Sequence, residues 1–188
     1  MDKIYYTFIN LDNDTYDFCG FANIRKDYIN HIKDKHHKNQ SYYVWKLLLF
    51  ALKELNLSHD LQFICTNGKW TLKNENLHFS LSHSYNLVSV IVSDKVCGVD
   101  VEKVSDKSLK LAKRLIEDKN ELKFFNNLNE PQKIIYLTKK WTETECKYKS
   151  NYSTDLISTE VIVKNGIEFV MSFTSNSKPI EIFMENII

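Results

Sequence analysis

Glycine and proline are scarce in this chain, with four and two among 188 residues. That excludes a collagen-like or low-complexity segment, and no Pro/Gly/Ser-rich linker separates domains. Net charge is scarce as well: 25 Lys and Arg meet 24 Asp and Glu, leaving a formal +1. Bulk electrostatics therefore gives no reason to expect nucleic acid or an anionic membrane as partner. The four cysteines, Cys19, Cys65, Cys97 and Cys146, form no C-x-x-C pair and have no histidine at zinc-like spacing. That argues against a metal knuckle or a disulfide framework and for reduced, buried thiols. The longest apolar stretch, LLLFAL, is far too short to span a bilayer. The opening MDKIYYTFINLDND lacks a basic region followed by an apolar core. No signal peptide is expected, and the cytoplasm is the default compartment.

What is present suffices for a packed core, with 43% hydrophobic and 26% charged residues. KIYYTFINL (3–11) reads as a strand. Residues 23–40 read as a polar, basic helix, and 41–57 as a buried helix with Ser41 as a possible cap. LQFICT (61–66), LHFSLSHS, LVSVIVSD and KVCGVDVEKV follow as strands. The order then returns: helices over 108–128 and 130–150, the second with Pro131 in its first turn. EVIVKNGIEFVMSF is a hairpin turning at Asn165-Gly166, and PIEIFME is a closing strand. Each half thus reads strand, helix, helix, strands. The expected architecture is α/β (α+β), a pseudo-twofold duplication of residues 1–96 and 97–188 packed tightly as one monomeric unit.

Several short motifs carry chemistry. In GVDVE, Asp100 and Glu102 stand two apart on a strand and so point to one face. Paired carboxylates suit magnesium, although an edge strand with a solvated acidic face would read the same. In WTETECKYK, Trp141, Glu145 and Lys149 share one helix face, which also fits an ordinary surface ion pair. FSLSHS offers Ser82, His83 and Ser84 at a strand end. Neighbours on a strand point apart, so Ser82 and His83 cannot form a catalytic dyad with each other, and phosphate contact is the better functional reading. NGK sets a turn glycine, Gly68, before Lys69. The run KDKHHKNQ clusters Lys33, Lys35, His36, His37 and Lys38, either as a solvated helix end or as an anion contact.

Taken in order, GK, FSLSHS, GVDVE and WTETECKYK resemble the 4′-phosphopantetheinyl transferase superfamily, most closely its surfactin-synthetase-activating type. The likeness spans residues 68–149 at the family's intervals, and the element order covers the whole chain. The resemblance implies a magnesium-dependent enzyme, with manganese as a substitute ion. Such an enzyme moves the phosphopantetheine arm of coenzyme A, its co-substrate, onto a serine of an apo acyl or peptidyl carrier protein. The by-product is adenosine 3′,5′-bisphosphate. It implies Asp100, Glu102 and Glu145 as metal ligands. Glu145 also serves in catalysis and Lys149 contacts the diphosphate. Ser82 and His83 meet the 3′-phosphate end, and Gly68 and Lys69 line the nucleotide pocket. Lys38, with Lys33 and Lys35, is the candidate for further phosphate contacts. The general base remains open among Glu145, Glu117, Glu121 and a metal-bound water.

The chain departs from the family pattern at Trp70, Ser80, Thr144 and Cys146, and at the family's N-terminal-helix arginines, absent from 33–57. A homologue that binds coenzyme A or a carrier without turnover is the alternative. With three carboxylates clustered, removing Asp100 is expected to relieve repulsion and leave stability unchanged or slightly raised.

Overall fold

A computed structural model describes residues 2–57, 61–66, 68–73 and 76–187. The chain is a mixed α/β protein with five α-helices and three sheets among these residues. Strand β1 (Asp2–Phe8) leads to helices α1 (Asn23–Asn30) and α2 (Lys35–Glu54). Strands β2 (Phe63–Thr66), β3 (Lys69–Leu72), β4 (His78–Ser84), β5 (Leu87–Ser93) and β6 (Val99–Lys103) follow. A 3₁₀ turn over Asp106–Leu111 leads to α3 (Ala112–Leu115), α4 (Lys119–Asn126) and α5 (Glu130–Lys149), then β7 (Ser158–Lys164), β8 (Ile167–Phe173) and the two-residue β9 (Ile180–Glu181). No described helix is long and apolar enough to cross a membrane.

Local chemistry explains the boundaries. The basic segment 23–40 is two elements, because Asp34 accepts from the His37 N–H at 2.7 Å and starts α2 there. Ser41 therefore lies inside α2 and is not its cap. Helix α5 opens with a reciprocal capping box, Asn129 with Gln132, and carries Pro131 in its first turn as expected. The expected helix over 108–128 breaks before α4, which Asp118 caps. At the β7–β8 hairpin, Asn165 and Gly166 both have positive φ, the conformation of a type I′ turn.

The strand order is β4-β5-β1-β9 in one sheet, β6-β8-β7 in a second and β2-β3 in a third. Apolar side chains of both large sheets form a shared core: Ile4, Leu87 and Ile91 from the first with Val99, Val101, Phe169, Met171 and Phe173 from the second. A separate cluster packs α2 against the first sheet around Trp45, Leu48, Val88 and Val90. It also takes in Ile187, so the end of the second half completes the core of the first.

The two large sheets meet edge to edge at β4 and β6. Three alternate serines of β4 accept from three alternate backbone N–H groups of β6: Ser80 from Val99 (3.2 Å), Ser82 from Val101 (3.1 Å) and Ser84 from Lys103 (3.0 Å). Strand edges carry unpaired N–H groups that must be satisfied when buried. Here hydroxyls satisfy them, and the backbones need not form a ladder.

Candidate active site

The serine seam also orients the acids of GVDVE. Ser82 donates to Asp100 Oδ1 at 2.8 Å and Ser84 to Glu102 Oε2 at 2.7 Å. Helix α5 closes the other side. Lys149 Nζ donates to Asp100 Oδ1 (2.7 Å), to the Val99 carbonyl (3.1 Å) and to the Leu81 carbonyl (3.2 Å). All three ammonium protons thus have acceptors, one on β4 and two on β6. Trp141, two turns earlier, favours the charged form of Glu102. Glu145 is half-buried on the helix face it shares with Trp141 and Lys149.

Burial raises the Glu102 carboxyl above its ordinary pKa. The Asp100 charge adds to the rise, while Ser84, Trp141 and Lys149 oppose it. Asp100 is 5% exposed, and its Oδ2 is buried with no hydrogen-bond partner among the described residues. A bare buried carboxylate oxygen beside a second acid calls for a cation. Asp100 and Glu102 are the two acids at this place that could hold a divalent ion. No three His, Cys, Asp or Glu side chains stand together as an ion-holding group among the described residues. The Lys149 ammonium holds Asp100 Oδ1 in this arrangement.

A cavity of about 270 Å³ opens on these groups and gathers Gly68, Ser82, His83, Asp100, Glu102 and Lys149. It shares Gly68, Trp70, Leu81 and Lys149 with a neighbouring cavity of about 380 Å³, which adds Lys69 and Tyr148. Lys69 donates to the Lys149 carbonyl (3.2 Å) and to Asn151 Oδ1 (2.9 Å), so it caps the end of α5 while lining the cleft. Asn67, the first residue of the NGK motif, lies outside the described residues. A further cavity of about 820 Å³ lies along Lys46, Leu49, Phe50 and Lys53 and includes none of Gly68, Lys69, Ser82, His83, Asp100, Glu102, Glu145 or Lys149.

His83 lies beside His37, ring centroids 5.7 Å apart. Burial, reinforced by His37, Lys149 and Arg25, lowers its pKa to about 4. The imidazole is therefore neutral near pH 7. A lowered folded-state value means that the unfolded chain binds the proton first on acidification. Stability attached to His83 is present above its unfolded pKa of about 6.5 and is lost as pH falls toward 4, by about 3 kcal/mol in full. Chemical denaturation of wild type and His83→Gln between these pH values should show a shallower dependence in the variant. Equal slopes would mean that His83 titrates normally.

The residue that sequence reasoning missed is Arg25, on α1. It is 3% exposed and donates to the Ser41 carbonyl (2.7 Å) and hydroxyl (2.8 Å). Its guanidinium lies 5.0, 4.7 and 5.0 Å from the ring centres of Tyr28, Trp45 and Trp70. Burial lowers its pKa to about 10, still well above neutrality. Its Nε has no hydrogen-bond partner among the described residues. Trp70, where the resembled family carries proline, is thus one wall of an aromatic box that holds a cation at the cleft. The available signal was a lone arginine at i, i+3 from a tyrosine, in a chain with only two arginines.

Other expected contacts lie elsewhere. Lys38 Nζ sits 5.0 Å from the centre of the Tyr16 ring, and Lys35 pairs with Asp14 at 2.7 Å. His37 is the member of the basic run that reaches the cleft. Glu121 is held by Tyr136 and Lys140, and Glu117 is exposed. No protein-family model matches the chain, and no curated protein matches it.

Proposed function

We propose that the protein transfers the 4′-phosphopantetheine arm of coenzyme A to a serine of an apo carrier protein. The observation that carries this reading is the cleft at the β4–β6 seam. It collects Gly68, Ser82, His83, Asp100, Glu102 and Lys149 around one bare carboxylate oxygen, residues that the motif resemblance assigns to a single reaction. The duplicated architecture of that family belongs to the same proposal. Its support is the returning order of strand, helices and strands.

Each side chain has a part. Arg25, His37, Lys69 and Lys149 bring donors and positive charge to a cleft that must hold several phosphates. Neutral His83 donates or accepts a hydrogen bond without adding charge. Asp100 and Glu102 would hold the magnesium ion, which when bound neutralises the diphosphate as it becomes the leaving group. Glu145 lines neither cavity of the cleft; the motif resemblance alone gives it the role of taking the proton of the incoming serine. The serine oxygen forms a new bond to the β-phosphorus. The diphosphate bond breaks, and adenosine 3′,5′-bisphosphate leaves with the electron pair.

Apo fatty-acid, polyketide and nonribosomal-peptide carriers incubated with the chain, coenzyme A and magnesium should gain one phosphopantetheine by mass spectrometry. Binding of coenzyme A with no mass gain and no nucleotide release would favour the non-catalytic alternative. The saturated bonding of Lys149 is the observation on that side. Consumption of coenzyme A without any carrier would instead point to a hydrolase.

A further inference from the structure

The seam closes one edge of each large sheet, and β7 is left at the far edge of the second. Among the described residues no strand pairs with its outer side. The sequence of the strand, STEVIVK, is apolar at its centre. Val161 and Val163 are 45% and 60% exposed. Strand edges of this kind template pairing with another chain unless charge or shape forbids it.

The hairpin fixes which backbone groups are free. Lys164 and Ile167 close the two-residue turn and so exchange both of their hydrogen bonds. Counting back by two, the backbone groups of Ile162, Glu160 and Ser158 also point to β8. Those of Val163, Val161 and Thr159 point outward. A second copy pairing antiparallel must therefore match these three residues with one another.

Few symmetric registers satisfy that condition. Centred on Ile162, Val161 faces Val163 and Glu160 faces Lys164, each twice. Centred on Val161, Glu160 faces Ile162 and both ion pairs are lost. Centred on Glu160, two like charges stand opposed. Cross-strand pairs of opposite sign are favourable and like-charge pairs are not, so the strand is self-complementary in a single register. In the single copy Lys164 pairs with Glu181 (2.8 Å) and lies 5.1 Å from the centre of the Phe8 ring, so the partner's Glu160 would share or replace the Glu181 contact.

We propose that the β7 edge is a self-association surface. Two copies of the chain pair their β7 strands antiparallel about Ile162, extending the three-stranded sheet to six strands. The interface is isologous, as a twofold dimer requires. Seven residues a side is less than a standard interface, so the dimer is reversible and forms with rising concentration.

Sedimentation velocity of the full chain over about 1–500 μM should show a monomer–dimer equilibrium. Glu160→Lys should weaken it about tenfold by setting like charges opposed. The exchange Glu160→Lys with Lys164→Glu should restore it, because the pairing is reciprocal. Val161→Lys should weaken it as well, through the apolar pair. Circular dichroism and thermal midpoints confirm that each variant is folded. A chain that stays monomeric throughout overturns the proposal and leaves the edge to a strand of another protein. A dimer indifferent to Glu160→Lys, or one that the double exchange does not restore, overturns the register and with it the proposal.

Discussion

Asp100→Ala is expected to lower unfolding stability by about 2–3 kcal/mol and, under the proposed function, to abolish phosphopantetheine transfer. The activity follows from the loss of the bare Oδ2 and of the acid pair with Glu102. The stability follows from what the other oxygen does. Oδ1 accepts from Ser82 and Lys149, and removing it leaves a partly buried ammonium without its counter-charge. The sequence-based expectation of unchanged or raised stability has the opposite sign. It counted like-charge repulsion among carboxylates and had no sight of Lys149 on Asp100. Asp100→Asn separates the two effects: its amide oxygen keeps both hydrogen bonds, so stability should fall less while transfer is still lost. Transfer rates and denaturation midpoints for the pair decide it. An alanine variant with wild-type transfer removes Asp100 from the chemistry, and one with wild-type stability removes the Lys149 contact from the fold.

Gly98→Ala is expected to cost more. A Cβ on Gly98 would sit 2.2 Å from the Cys146 carbonyl oxygen and 3.1 Å from the Ser150 nitrogen. Both are backbone atoms of α5 or its cap, so no side chain can turn aside to make room. The same glycine accepts from the Thr174 N–H at 3.0 Å and donates to the Thr174 hydroxyl at 2.9 Å. Either β6 or α5 must shift. The expected loss is about 3 kcal/mol or more, at the upper end of overpacking effects. For a chain of this size that is a fall of about 6–12 °C in thermal midpoint. The proposed transfer should fall too, since α5 carries Lys149, which holds Asp100. A midpoint unchanged from wild type would show that the close approach of α5 to β6 is not maintained in solution.

The site was legible where its geometry is local. Two acids at i and i+2 on a strand, and three residues at i, i+4 and i+8 on a helix, fix their own directions. The structure brings Asp100, Glu102 and Lys149 together accordingly. Contacts set by tertiary packing were not legible. Arg25 lies on a different element from the acids and reaches the cleft only because α1 folds over Trp45 and Trp70. The serines of FSLSHS advertise hydroxyls, but nothing in the motif says that their partners are the N–H groups of another sheet's edge. Lys38 fails by helical phase. His37, Ser41 and Val44 of α2 face the cleft, and Lys38 stands about 100° round the helix from His37. The capping of α2 was misplaced for a similar reason, since its first turn is polar and shows no apolar period to mark the start.

The return of β9 to pair with β1, Tyr5 with Ile180 and Tyr6 with Glu181, bears on how the chain is made. Translation delivers β1 first and β9 last, some 175 residues apart in synthesis. The edge of β1 stays open, and the core around Trp45 lacks Ile187, until that last segment leaves the ribosome. The amino-terminal sheet therefore emerges early and matures late. During this interval an uncovered apolar surface is exposed to other nascent chains and to holdase chaperones. Contacts of such long sequence separation also slow the final step of folding. A ribosome stalled before residue 180 should thus display a protease-sensitive amino-terminal half, even though every strand and helix native to it has already been synthesised.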